Sequence, residues 1–216
     1  MPRESLKDKT ARAKKIVALL KKRYPDAKTS LDYDTVHQLM VATILSAQCT
    51  DERVNMTTPA LFERFRSVKD FAEADSDELE SLIQSCGFFR AKAKSIKSSA
   101  RVLLERFGGE MPRTIDELTT LPGVGRKTAS VVLGAGFGIA EGIVVDTHVA
   151  RISKLLGLTA HTDPLKIEQD LMKVLEPEDW IRFSHMLIYH GRAVCIARRP
   201  KCAECVLAET CPSAKM

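Results

Sequence analysis

The chain has 216 residues, 44% hydrophobic and 28% charged, enough apolar material for a sizeable core and too much for a disordered or collagen-like polypeptide. Its 33 basic and 28 acidic side chains give a net charge of +5, and no apolar run approaches the roughly 20 residues that span a bilayer. No stretch near the N-terminus reads as a signal peptide, so a cytoplasmic chain with reduced cysteines and no membrane association is expected.

The charge is unevenly spread. Residues 1–28 hold 10 basic and 3 acidic side chains, residues 29–89 hold 4 and 11, and residues 90–106 hold 6 and 1. Basic blocks on a balanced body fit a protein that tracks a phosphate backbone, although solvated helix faces would read the same way.

Taken in chain order, helical periodicity dominates. Ile16, Val17, Leu19 and Leu20 make an apolar stripe in the first basic block. Val36, Leu39, Met40, Ile44 and Leu45 recur at helical spacing behind Asp34, a candidate N-cap. A third helix is predicted from Ser76 through Leu79, Leu82 and Ile83 to Gly87, which would supply a left-handed cap. Residues 90–107 set Ile96, Ala100, Leu103, Leu104 and Phe107 on one side and the second basic block on the other, until Gly108 and Gly109 end the helix. Thr114 to Glu117 reads as a capping box for a short helix that runs into Leu121 and breaks at Pro122, Gly123, Val124 and Gly125. Further helices are predicted over 126–137, from Asp146 as N-cap to near Gly157, from Asp163 and Pro164, and from about Pro177 to Cys195. No convincing strand pattern appears, so the fold class is all-α. Four glycines between Gly134 and Gly142 mark the best candidate boundary.

Three features carry chemistry. Gly123 and Gly125, one residue apart between helices, permit a tight hairpin with positive φ and leave backbone N–H groups bare where the next helix begins, a place for phosphate to dock. An ordinary helix-to-helix turn would share that spacing. Lys127 falls in the first turn of the new helix, where the macrodipole and burial in a cleft would lower its reference pKa of about 10.4 and allow it to attack carbon and form a Schiff base. Asp146 reads as a carboxylate held by backbone N–H groups. Of six cysteines, Cys49 and Cys86 stand alone and read as small buried hydrophobes, whereas Cys195, Cys202, Cys205 and Cys211 crowd together as metal ligands. Zinc and an iron–sulfur cluster both accept four thiolates, but only Cys202 and Cys205 form the short knuckle that structural zinc sites usually use twice.

LPGVGRKTA at 121–129, VDTHVAR at 145–151, LSAQCTD at 45–51 and the C-x6-C-x2-C-x5-C spacing from Cys195 to Cys211 occur in order over nearly the whole chain. On these motifs the chain resembles the endonuclease III family of DNA repair glycosylases with AP-lyase activity. The resemblance implies a helix-hairpin-helix DNA glycosylase fold, with a six-helix domain over 29–140 and an iron–sulfur cluster domain built from 1–28 and 141–216, and a DNA-binding groove between them. It implies a 4Fe–4S cluster on Cys195, Cys202, Cys205 and Cys211, with Lys127 as nucleophile and Asp146 facing it. Gln48 would fill the space left by a flipped nucleotide and meet the orphaned base, and His148 would lie near the DNA strand. Phe88 matches a position that wedges into the duplex; familiar members have an aliphatic residue there, and Phe88 would otherwise be a core phenylalanine. The implied partner is double-stranded DNA with damaged pyrimidines or abasic sites, bound by a monomer associated with the nucleoid. Rival readings are a monofunctional adenine or mismatch-thymine glycosylase, which lacks the lysine, and a non-catalytic DNA-binding iron–sulfur module.

Overall fold

In the computed structural model, which describes residues 4–215, helices account for all regular structure and no described residue lies in a strand. The chain divides into two units: Ser30–Glu141, and the segment up to Thr29 taken together with the segment from Gly142 onward.

The Ser30–Glu141 unit contains α2 (Val36–Ser46), α3 (Asp51–Arg64), α4 (Val68–Glu73), α5 (Ser76–Ile83), α6 (Phe89–Phe107), α7 (Ile115–Leu118) and α8 (Arg126–Val131). That is one α segment more than six, α7 being a single turn. Its core joins Leu39, Met40 and Leu45 of α2 to Leu61, Phe65, Phe71, Leu79, Ile83, Ile96 and Leu103, all at most 1% exposed. Buried large side chains of this kind contribute about 1.5–3 kcal/mol each, which is why the apolar spacing sets where these helices lie.

Several ends differ from the sequence expectation. The α2 cap is Thr35, not Asp34: its hydroxyl accepts from Gln38 N, and the Gln38 side chain reaches back to the amides of Asp34 and Thr35. Helix α5 stops at Ile83 and continues only as a 3₁₀ turn, Gln84–Cys86. Gly87 follows with φ 66° and ψ 157°, so its backbone has positive φ without being a left-handed helical cap. At the end of α6 the expectation holds, since Gly108 is left-handed and Gly109 N donates to Leu103 O at 2.9 Å. The Thr114 hydroxyl caps α7 by accepting from Glu117 N, but it donates to the Glu117 carboxylate, so the reciprocal half of a capping box is absent. Beyond Val131, α8 widens into a π-helical segment, Val132–Phe137, that contains Gly134 and Gly136. A Cβ on Gly136 would lie 2.8 Å from the Val36 side chain.

The other unit gathers α1 (Leu6–Arg23), α9 (Thr147–Leu155), α10 (Pro164–Met172) and α11 (Trp180–Ala193). Ile16 and Leu20 of α1 pack with Val149, Ile152, Ile167, Leu171, Phe183, Met186 and Leu187, while Leu19 is only half-buried. Asp163 caps α10 with Pro164 in its first turn. Arg12 of α1 donates to the carbonyls of Leu156 at 2.5 Å and Thr210 at 3.3 Å, with Glu4 beside it as counter-charge. Among the described residues no helix is long and apolar enough to cross a membrane.

His37 on α2 makes one part of this fold pH-sensitive. Its ring stands edge-on to Phe71 at 5.2 Å, its Nε2 is buried without a partner, and burial pushes its pKa down to about 4. The unfolded chain takes up this proton near pH 6.5 and the folded chain does not. Stability is therefore full above that value and lost as pH falls toward 4, by about 2–3 kcal/mol. Unfolding free energies from urea titrations at neutral pH and near pH 4 should differ by that amount, and His37→Phe should reduce the difference.

Candidate nucleic-acid interface and cluster site

The segment after α2 turns back at once. Ala47 ends the helix, Gln48 follows at φ 54°, and the Thr50 hydroxyl caps α3 by accepting from Arg53 N at 3.2 Å. The segment before α6 has the same feature: Phe88, its N-cap, sits at φ 46° and ψ 28° with no side-chain cap bond. Gln48 and Phe88 are the non-glycine residues with positive φ among those described, a conformation that costs about 1–3 kcal/mol at each. Both side chains are exposed. Phe88, at 68%, is no core phenylalanine, whereas the adjacent Phe89 packs against the core.

The hairpin brings a third predicted residue to the same place. Gly123 has φ 79°, and a Cβ there would lie 2.5 Å from Ser95 Cβ, so both conformation and space require glycine. Gly125 does not share this need. Its φ of −86° and ψ of 173° are extended, and a Cβ would meet nothing within 4 Å. Gly125 is instead the N-cap of α8 and supplies no side-chain acceptor to its first turn. Gln48, Phe88 and Gly123 line one cavity of about 320 Å³, together with Lys92, Ser95 and Thr128. Lys127 stands in the first turn of α8. It is exposed rather than buried, and makes no ion pair or side-chain hydrogen bond among the described residues.

In the other unit Asp146 caps α9, its Oδ1 accepting from Val149 N at 2.7 Å. His185, not singled out from the sequence, lies within electrostatic reach: burial pushes its pKa down and the Asp146 charge opposes the shift. His148 is not a plain surface histidine. Its Nδ1 is buried without a partner, and a Cβ on Gly191 of α11 would sit 2.4 Å from it, so the ring packs onto bare backbone.

After α11 the chain loops through two 3₁₀ turns, Cys202–Glu204 and Ala208–Thr210. Cys195, Cys202, Cys205 and Cys211 line one cavity of about 300 Å³. Among the described residues no three His, Cys, Asp or Glu side chains converge as the ligands of a single ion do. The four sulfurs surround a volume, the arrangement a polynuclear cluster needs. Burial pushes the Cys205 and Cys211 thiols up, and mutual repulsion with their neighbours adds to it, a charge problem that bound iron relieves. Around them, Leu207 N donates to Cys205 Sγ at 3.4 Å and the Arg151 guanidinium lies 3.7 Å from Cys195 Sγ. His190, whose pKa burial pushes down to about 4, joins the Tyr24 hydroxyl at 3.1 Å to Cys205 Sγ at 3.4 Å. Cys86 is buried and Cys49 half-buried, both in the Ser30–Glu141 unit.

A glycine hairpin that opens a helix, an exposed lysine in that helix's first turn and a downstream four-cysteine loop define a helix-hairpin-helix protein of the iron–sulfur class. Residues 41–177 match the HhH-GPD superfamily of base excision DNA repair proteins, and residues 195–211 match the iron–sulfur binding domain of endonuclease III. The chain is 58% identical to endonuclease III of Synechocystis sp., over 96% of this chain and 94% of that one. It is 44% identical to endonuclease III of Bacillus subtilis, over 87% and 86%. It superposes with a TM-score of 0.88 on a trapped endonuclease III–DNA covalent intermediate, an estranged-adenine complex, at 40% identity over 95% of this chain and 96% of that one. The chain belongs to the endonuclease III family. It has that family's 4Fe–4S cofactor and its base-excision activity as a DNA glycosylase and AP lyase.

The two hairpin glycines should respond differently to substitution. Gly123→Ala is expected to lower stability by about 2 kcal/mol or more, because it combines positive φ with a clash, while Gly125→Ala stays within about 0.5 kcal/mol of the parent. Denaturant midpoints of the two variants measure the contrast.

Proposed function

We propose that Lys127 is the nucleophile of this chain's glycosylase and lyase reactions and that its substrates are oxidised pyrimidines and abasic sites in duplex DNA. The observation that carries this reading is the exposed amine of Lys127, set among the leading amides of a helix whose N-cap, Gly125, offers no side-chain acceptor. Those amides and the basic segments grip the phosphate backbone, and the damaged nucleotide leaves the stack. Gln48 enters the vacated space and Phe88 wedges beside it, where apolar contact offsets lost stacking. His148 contributes a contact to the strand.

The Lys127 amine attacks C1′, the C1′–N glycosidic bond breaks, and the base departs with that electron pair and takes up a proton. The nitrogen loses a proton and forms a second bond to C1′ as the C1′–O4′ bond breaks; O4′ keeps that bond's electron pair and takes up a proton, which leaves a protonated imine between Lys127 and the sugar. Its cationic nitrogen acidifies the C2′ proton; as that proton is removed, the electron pair forms the C2′–C3′ double bond and expels the 3′ phosphate. The Asp146 carboxylate stabilises the positive charge that develops at C1′ and is available for proton transfers. This lyase chemistry requires no electron transfer. Cys195, Cys202, Cys205 and Cys211 hold the 4Fe–4S cluster, whose contribution is to shape the loop that carries Arg198, Arg199 and Lys201 toward phosphate. The active species is a monomer.

Borohydride should leave the parent protein covalently joined to lesion-bearing DNA. Full-yield trapping with Lys127→Gln sinks the nucleophile assignment. Strand cleavage at thymine glycol and other oxidised pyrimidines, with an oxidised purine left intact, is the expected substrate pattern; base loss without cleavage would mark a monofunctional enzyme. For the cluster ligands, Cys202→Ser is expected to lose the brown colour and the iron of the parent. A colourless parent with stoichiometric zinc contradicts the assignment.

A further inference from the structure

Lys92, in the first turns of α6, is only 6% exposed, an unusual place for an ammonium. Burial pushes its pKa down, and among the described residues no carboxylate accompanies it. Its Nζ donates instead to two main-chain carbonyls, Leu45 O and Cys86 O, each at 2.8 Å. Leu45 lies in the last turn of α2, three residues before Gln48. Cys86 closes the 3₁₀ turn two residues before Phe88. One charge thus joins the roots of the two segments that hold non-glycine residues at positive φ. Both carbonyls belong to helical ends that lack their own partners, and a charge-assisted bond to each is about twice as strong as a neutral one.

We propose that Lys92 is a positioning residue for base flipping: by binding Leu45 O and Cys86 O together, it fixes Gln48 and Phe88 in the left-handed conformations that present both side chains at one cavity. The proposal rests on the reading of Gln48 and Phe88 as the residues that enter the duplex. A tie that served only stability would not need to join these two segments. It would also affect every substrate alike, whereas a positioning tie matters only where a paired base must be driven out of the stack.

The test compares single-turnover strand cleavage by the iron-loaded protein on two substrates. One carries thymine glycol paired within a duplex; the other carries it unpaired in a bulge. Lys92→Met, which keeps the apolar stem and removes the charge, is expected to slow the paired substrate roughly tenfold or more and the bulged one less than about threefold. Lys92→Arg, which retains charged donors, should recover most of the paired rate. If Lys92→Met does not fold, Lys92→Gln, a neutral donor, is measured instead with the same expected contrast. Equal losses on both substrates, or no loss on the paired one, overturn the proposal. Gln48→Ala and Phe88→Ala are measured alongside. If both leave the paired rate unchanged, the duplex-entry reading falls and takes the proposal with it; if they slow it and Lys92→Met does not, the Lys92 proposal alone falls.

Discussion

An α-helix leaves its first amides and last carbonyls without intrahelical partners, and in this chain the way each end is satisfied sets what that end does. At the N-termini of α1 to α5, α7, α9 and α10 a backbone N–H donates to a Ser, Thr or Asp side chain, which takes up one or two of the leading amides. Helix α11 starts directly from the 3₁₀ turn Pro177–Asp179 without a side-chain cap, and helices α6 and α8 begin at Phe88 and Gly125, likewise with no side-chain acceptor. At the opposite pole of α2, the carbonyl of Leu45 is taken by a buried lysine rather than by water. A cap does not make an end merely structural, since Asp146 caps α9 and also has a role in the proposed chemistry, but the uncapped ends of α6 and α8 adjoin Phe88 and Lys127.

What the sequence makes legible follows from how local each interaction is. Asp146 and Asp163 are recognisable as caps because the acceptor and the amide it meets lie three residues apart. The hairpin and the cysteine loop are legible for the same reason. At Asp34 and Thr35 two capping residues adjoin, and the choice is made by the Gln38 side chain, which periodicity does not weigh. Helix α3 escapes an apolar-repeat reading because threonines 57 and 58 supply part of its buried face and Pro59 interrupts it. The left-handed backbone at Gln48 and Phe88 is invisible in the sequence, since neither residue type prefers it. The burial of Lys92 depends on a carbonyl 47 residues away. The widening of α8 into a π-helix leaves the apolar spacing almost unchanged, so only its extent is predicted and not its geometry.

Strain and buried charge are here concentrated in one place. The unit Ser30–Glu141 has a well-filled core of aliphatic and phenyl side chains, yet around one cavity it holds two residues at positive φ, a glycine with no room for a methyl group and an ammonium without a counter-ion. The two non-glycine residues at positive φ and the buried ammonium each lower stability on their own. Their coincidence identifies a region where conformation is selected at the expense of stability, and where the Phe88 side chain points away from the core. The second unit resolves its own difficulty differently. Of four thiols that repel one another as thiolates, Cys205 accepts from Leu207 N and lies beside the His190 ring, and Cys195 accepts from Arg151.

The discontinuous unit has a consequence for synthesis. Helix α1 buries Ile16 and Leu20 against side chains of α9 to α11, and Arg12 binds the carbonyl of Thr210. On the ribosome α1 emerges first, and its partners on α11 follow only after the whole intervening unit has been made. At about 5–20 residues per second that delay is of order 10 s. During this interval Ser30–Glu141 can complete its own core, whereas the apolar stripe of α1 has nothing of its own unit to cover it. The basic side chains that flank the stripe, Lys14, Lys15, Lys21 and Lys22 among them, then keep the nascent segment hydrated and apart from its neighbours.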